Sequence, residues 1–219
     1  MKTKSLKFFP LIFAAVLACW PTQTRATIAL DFTPSGSVGN GSDNVWGWDF
    51  SLSTNVFVTD LGIWDGSSGT GVGDGLVEAH TVSIWTSGGT LVTSAIVPAG
   101  AGGTLVDDFR YISITPTQLL AGNYVIGAHY LGRADIIAFN ATGITTASEV
   151  TFGHSRQNGF GQGNGFPTGV SDAGGFFGPN FQFTTSTSVP DTGTTCSLFG
   201  LSLMGLAFLR RLRYPNLGH

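Results

Sequence analysis

Lysine is missing from Thr27–Ser188 of this 219-residue chain, and so is cysteine. The two cysteines, Cys19 and Cys196, lie in the terminal segments. A body without cysteine holds no disulfide, so its apolar core must carry its stability alone. Basic charge is almost as scarce. Between Thr27 and Ser188 three arginines (Arg110, Arg133, Arg156) stand against twelve acidic residues, a net of −9, whereas the whole chain carries −3. Such a surface repels nucleic acid and anionic lipid, and nucleic-acid binding is excluded. No internal segment holds a sustained 3.6-residue apolar period, and no tandem repeat is detectable.

What the body does contain is short runs rich in Val, Ile, Phe, Thr and Trp, separated by Gly, Ser and Asn. Strands are expected at Ile28–Phe32, Val45–Phe50, Val56–Trp64, His80–Thr86, Thr90–Val97, Phe109–Ile114, Tyr124–Tyr130, Asp135–Phe139 and Phe181–Thr184. Val82 and Ile84 alternate with Thr81, Ser83 and Trp85, the period of a strand with one buried face. Ser87-Gly88-Gly89 is of hairpin length. Many strands at close spacing with glycine-rich turns predict an all-β protein, an antiparallel β-sandwich or jelly roll. Gly153–Gly178, with Phe160, Phe166, Phe176 and Phe177 among its glycines, reads as a long ordered loop with aromatic plugs.

The ends differ in kind from the body. Met1–Lys7 carries three lysines, Phe8–Ala18 is apolar, and Thr24-Arg25-Ala26 offers small residues at −3 and −1. This predicts a secretory signal helix over residues 1–26, cleaved after Ala26. Val16-Leu17-Ala18-Cys19 competes as a lipoprotein box. At the other end Pro190 and Gly193 break regular structure. The uncharged run Cys196–Leu209 follows, 14 residues or about 21 Å as a helix. That is short of the roughly 20 residues of a comfortable span. Arg210, Arg211 and Arg213 close it and would stay on the cytoplasmic side. The expected organisation is thus signal 1–26, sandwich 27–183, Thr/Ser linker 184–188, sorting segment 189–213 and tail 214–219.

In its order of turn motif, brief apolar helix and arginine cluster, the C-terminal segment resembles the sorting signals of the PEP-CTERM class, and most its VPDSG variant. Val189, Pro190, Asp191 and Gly193 match that motif, while Thr192 replaces its serine. The resemblance implies recognition and processing by an exosortase-like membrane enzyme. In the body, His80–Trp85, Gly89-Thr90-Leu91, Phe109-Arg110-Tyr111 and Leu120–Tyr124 resemble extracellular modules of the DUF4082 type. Phe177–Phe183 is similar to the closing strand of PEP-CTERM-bearing bodies. This second resemblance implies a β-sandwich and no particular activity.

Three chemistries have candidate residues. Gly153-His154-Ser155-Arg156-Gln157 begins like a nucleophile elbow but lacks its last glycine and its strand-to-helix setting. His80, His129 and His154 are too dispersed for a local metal motif. Asp65, Asp74 and Glu78, with Asp60 nearby, flank a glycine-rich loop whose carbonyls could turn inward, which suits a calcium ion. Trp46 and Trp48 fall on the same side of one strand, where they could stack on sugar rings or fill the core. The expected function is a non-enzymatic exported protein of the cell surface or extracellular matrix. The alternatives are a carbohydrate-binding module, with exopolysaccharide as partner and calcium as stabiliser, and a secreted hydrolase.

Overall fold

The computed structural model describes residues 26–34, 37–40, 42–66, 73–171 and 175–185. Met1–Arg25 of the expected signal helix, the sorting motif from Val189 to Gly193, the apolar run Cys196–Leu209 and Arg210, Arg211 and Arg213 lie outside them. So does all but the start of the Thr/Ser linker. Ala26 directly precedes the first strand.

Sixteen strands and no helix occur among the described residues. They are β1 (Thr27–Ile28), β2 (Leu30–Thr33), β3 (Ser37–Asn40), β4 (Asn44–Leu52), β5 (Val56–Trp64), β6 (His80–Thr86), β7 (Leu91–Val97) and β8 (Thr104–Val106). There follow β9 (Phe109–Leu119), β10 (Gly122–Tyr130), β11 (Ile136–Phe139), β12 (Thr142–Thr146), β13 (Val150–Gln157), β14 (Gly169–Ser171), β15 (Phe176–Phe177) and β16 (Pro179–Thr184). One sheet runs β1-β16-β5-β9-β8 and a second β14-β13-β4-β10-β6-β7, with every pairing antiparallel. Two smaller sheets, β15-β11-β3 and β12-β2, complete the body.

The two large sheets meet through aromatic side chains, as a sandwich requires. Trp48 and Phe50 of β4 reach Phe181 of β16 at ring separations of 6.1 and 5.0 Å. The Trp48 indole N–H donates to the Pro179 carbonyl at 2.9 Å, so the one polar atom of that ring is satisfied inside the core. Val58, Leu61, Ile63, Val82, Ile84, Ile126, Phe181 and Phe183 fill the rest of the space.

A bulge explains how β5 keeps its apolar residues inside. Its buried positions run Val56, Val58 and then Leu61, Ile63, a change of parity. Against β16, Gln182 pairs with Asp60 and Phe183 with Val58, so Thr59 is the extra residue and resets the inward face. The register with β9 also shifts there, and Pro116 of β9, which cannot donate to a ladder, falls in the interrupted stretch.

The expectation of a long ordered loop without strands over Gly153–Gly178 is corrected. Residues 153–157 are the second half of β13, and β14 and β15 also lie in the stretch. A register shift between Phe152 and Ser155 breaks the two-residue alternation of β13, which hid the strand from its hydrophobic pattern. Among the described residues the long irregular segment runs from Asn158 to Thr168. It lies against the outer side of the six-stranded sheet. Phe166 packs edge-on over Trp85 at 5.9 Å, and the Arg156 guanidinium sits 5.6 Å from the Phe166 ring. Beneath, Gly127 leaves room for Trp85: a Cβ there would meet Val45 Cγ1 at 2.5 Å and the indole at 3.2 Å.

Candidate functional site

The residues expected to hold calcium do not converge. Asp65 follows the end of β5 and is almost fully buried. Its carboxylate accepts from Arg110 Nε at 2.6 Å and from the Gly75 N–H at 3.1 Å. The same guanidinium donates to the carbonyls of Gly73 at 2.7 Å and Gly103 at 3.3 Å. Glycine carbonyls do turn inward around a cation, but the cation is Arg110 of β9. Asp74 is exposed, and Glu78 joins a different group.

The tryptophan platform also needs correction. Trp48 is 0% exposed and Trp46 is 5% exposed. Trp48 serves the sandwich core, while Trp46 is enclosed by Phe139 of β11, Phe176 of β15 and Phe160. Both do share a side of β4, as the strand period dictates. That side faces inward, so neither ring offers a flat face to a sugar.

Ser155, the would-be nucleophile, is buried within β13, and its hydroxyl oxygen accepts from the Phe176 N–H at 2.9 Å. The three body histidines stay apart, each facing its own aspartate. His129 Nε2 lies 3.1 Å from Asp43, His154 Nδ1 lies 3.6 Å from Asp49, and His80 Nε2 lies 2.8 Å from Asp135.

The last pair belongs to the best-built polar cluster of the described residues. His80 opens β6 and is fully buried; Asp135 and Glu78 are partly buried beside it. One potential ligand atom from each lies within 4.8 Å of the others. Two loops are cross-linked here. Asp135, ahead of β11, accepts from the N–H groups of Val77 and Glu78, each at 2.8 Å. In return Glu78 accepts from the Gly132 N–H at 2.9 Å. Burial pushes the Asp135 carboxyl upward, but the His80 hydrogen bond and the two backbone donors outweigh it and hold it below its ordinary value of 3.8. Beside His80, the Tyr130 ring packs at 4.6 Å, and burial pushes its phenol well above the ordinary 10.0. Nothing in the sequence marked this trio, because Asp135 lies 55 residues beyond His80.

A shallow groove of about 290 Å³ opens on the outer side of the six-stranded sheet. Asp49, Asn123, Tyr124, Phe152, His154 and Arg156 line it. Arg156 reaches Asp49 at 3.4 Å across it, and the Asp49 carboxylate also accepts from the His154 N–H at 2.8 Å.

Residues 188–213 match the family model described as the VPDSG-CTERM motif. The match covers the C-terminal sorting segment alone and leaves the sandwich outside it. It points to an exported protein with a C-terminal sorting signal. No curated protein matches the chain. Among the described residues no helix is long and apolar enough to cross a membrane.

Proposed function

We propose that the chain is a non-enzymatic exported protein, delivered to the cell surface or extracellular matrix through processing of its tail by an exosortase-like enzyme. The observation that carries this reading is the VPDSG-CTERM match over residues 188–213. In this reading residues 1–26 are a signal peptide removed after Ala26. Cys196–Leu209 holds the precursor in the membrane for as long as Val189, Pro190, Asp191, Thr192 and Gly193 await recognition. The acidic, lysine-free body is the delivered part. The non-enzymatic part of the reading is supported by the burial of Ser155 and by the dispersal of His80, His129 and His154 onto three separate aspartates.

Mass spectrometry of both termini in surface-released protein tests it. The expected N-terminus is Thr27, and the expected C-terminus falls within or near Val189–Gly193. Asp191→Ala should leave the tail on and the protein in the membrane fraction. Released protein that retains Arg210–Arg213, or that still begins at Met1, would overturn the reading.

A second reading, carbohydrate binding, is favoured by the groove lined by Asn123, Asp49 and Arg156 and not by Trp46 or Trp48. Its polar side chains on an open sheet face can hydrogen-bond sugar hydroxyls. Glycan arrays on wild type and Asn123→Ala check this: a signal lost in the variant supports it, and silence across the array removes it.

A further inference from the structure

We propose that Glu78, His80 and Asp135 bind one divalent transition-metal ion of the zinc class, which locks the loop before β6 to the loop after β10. The inference starts from the placement of the His80 ring. Its Nδ1 lies 3.0 Å from the His129 carbonyl oxygen, which can only accept, so Nδ1 carries the hydrogen. That leaves Nε2 as the ring atom turned towards the two carboxylates, 2.8 Å from Asp135 Oδ2. Without a metal this contact is a hydrogen bond, and an ion would replace the shared hydrogen between the same two atoms.

Three features favour the metal. A third donor is in place, since an oxygen of Glu78 lies within 4.8 Å of both other ligand atoms. Each ligand is also held from behind by the backbone, as metal ligands characteristically are: His80 by the His129 carbonyl, Asp135 by Val77 and Glu78, Glu78 by Gly132. The site is reachable as well, because Val77 and Leu131 on the two loops are exposed, and the surrounding body carries a net negative charge that draws cations.

The donor set selects the class of ion. Imidazole nitrogen with carboxylate oxygen suits zinc and its neighbours, whereas calcium takes six to eight oxygens. Zinc bonds of about 2.0–2.2 Å place tetrahedral ligand atoms roughly 3.4 Å apart. The His80–Asp135 contact would open slightly to admit the ion, and Glu78 would close onto it. Three protein ligands leave the fourth position to water. For a body without disulfides such an ion would be a cross-link between segments distant in sequence.

The test uses the purified full chain, stripped with a chelator and titrated with zinc in a calorimeter, with melting curves in parallel. One zinc per chain at the cluster, bound with Kd of about 1 µM or tighter, is expected to raise Tm. Glu78→Gln retains an acceptor for the Gly132 N–H, so it should keep the metal-free Tm while weakening zinc binding about tenfold or more. Asp135→Asn should weaken it similarly, and Asp43→Asn, at the separate His129 pair, should not. The proposal is overturned if the folded wild type takes up no zinc, which leaves His80 and Asp135 bridged by a proton. It is overturned equally if Glu78→Gln and Asp135→Asn bind zinc as wild type does, or if the cluster takes calcium and refuses zinc.

Discussion

Arg110 is the residue on which the loop between β5 and β6 depends. Its guanidinium satisfies Asp65 and two glycine carbonyls in a site where both charged side chains are almost wholly buried. Removing one partner of such a pair leaves the other charge uncompensated, which costs about 3–5 kcal/mol. Arg110→Met should therefore lower unfolding stability by that amount in urea titrations, with Asp65→Asn costing less because an amide still offers an acceptor. Individual side-chain types were legible from the sequence, and their partners were not. Asp65 looked like a calcium ligand because its local neighbours are glycines; its true partner lies 45 residues away. Trp46 and Trp48 were correctly placed on one side of a strand. Which side faces the core depends on β16, more than 120 residues later, whose Pro179 carbonyl receives the Trp48 N–H.

At the level of elements, the hairpin joining β8 to β9 turns on Asp107 and Asp108, with φ of 44° and 67°. Two consecutive left-handed residues make a type I′-like connection, for which Asn-Gly or Asp-Gly is preferred. Asp108→Gly should stabilise the protein by about 0.5–1 kcal/mol, since glycine adopts positive φ without a Cβ clash. The gain should depend on pH. Partial burial, followed by the charges of Asp31, Asp107 and Asp65, raises the Asp108 carboxyl above its ordinary 3.8. A carboxyl raised in the folded state destabilises that state at neutral pH, and the penalty fades as pH falls through the raised value. Melting curves should thus show a larger advantage for the variant at pH 7 than below pH 3.8. In the six-stranded sheet, Gly127→Ala should cost about 1–3 kcal/mol, because its new methyl would press on Val45 and Trp85. β5 and β6 were found to the residue, because their dense Val, Ile, Leu, Phe and Trp content marks a strand even across a register shift. Short or polar strands, β13 above all, were not, because the register that defines β13 is set by β4.

For the molecule as a whole, the all-β class followed from turn chemistry and strand period, which are local. The division into two large and two small sheets did not, since pairing β1 with β16 or β4 with β13 joins segments about 100 residues or more apart. The tail was legible because a sorting signal is read as linear sequence, and the match over residues 188–213 agrees. The scarcity of basic residues has a further outcome when combined with the cross-linked loops. Trypsin cuts only after lysine or arginine, so Thr27–Ser188 offers it three bonds. Arg110 is buried and Arg156 is partly buried against Asp49, whereas Arg133 is exposed in the very loop that Glu78 and Asp135 hold. Nicking after Arg133 is therefore a built-in gauge of how often that loop lets go. Its rate should climb in Asp135→Asn, and the fragment masses would report it without any label.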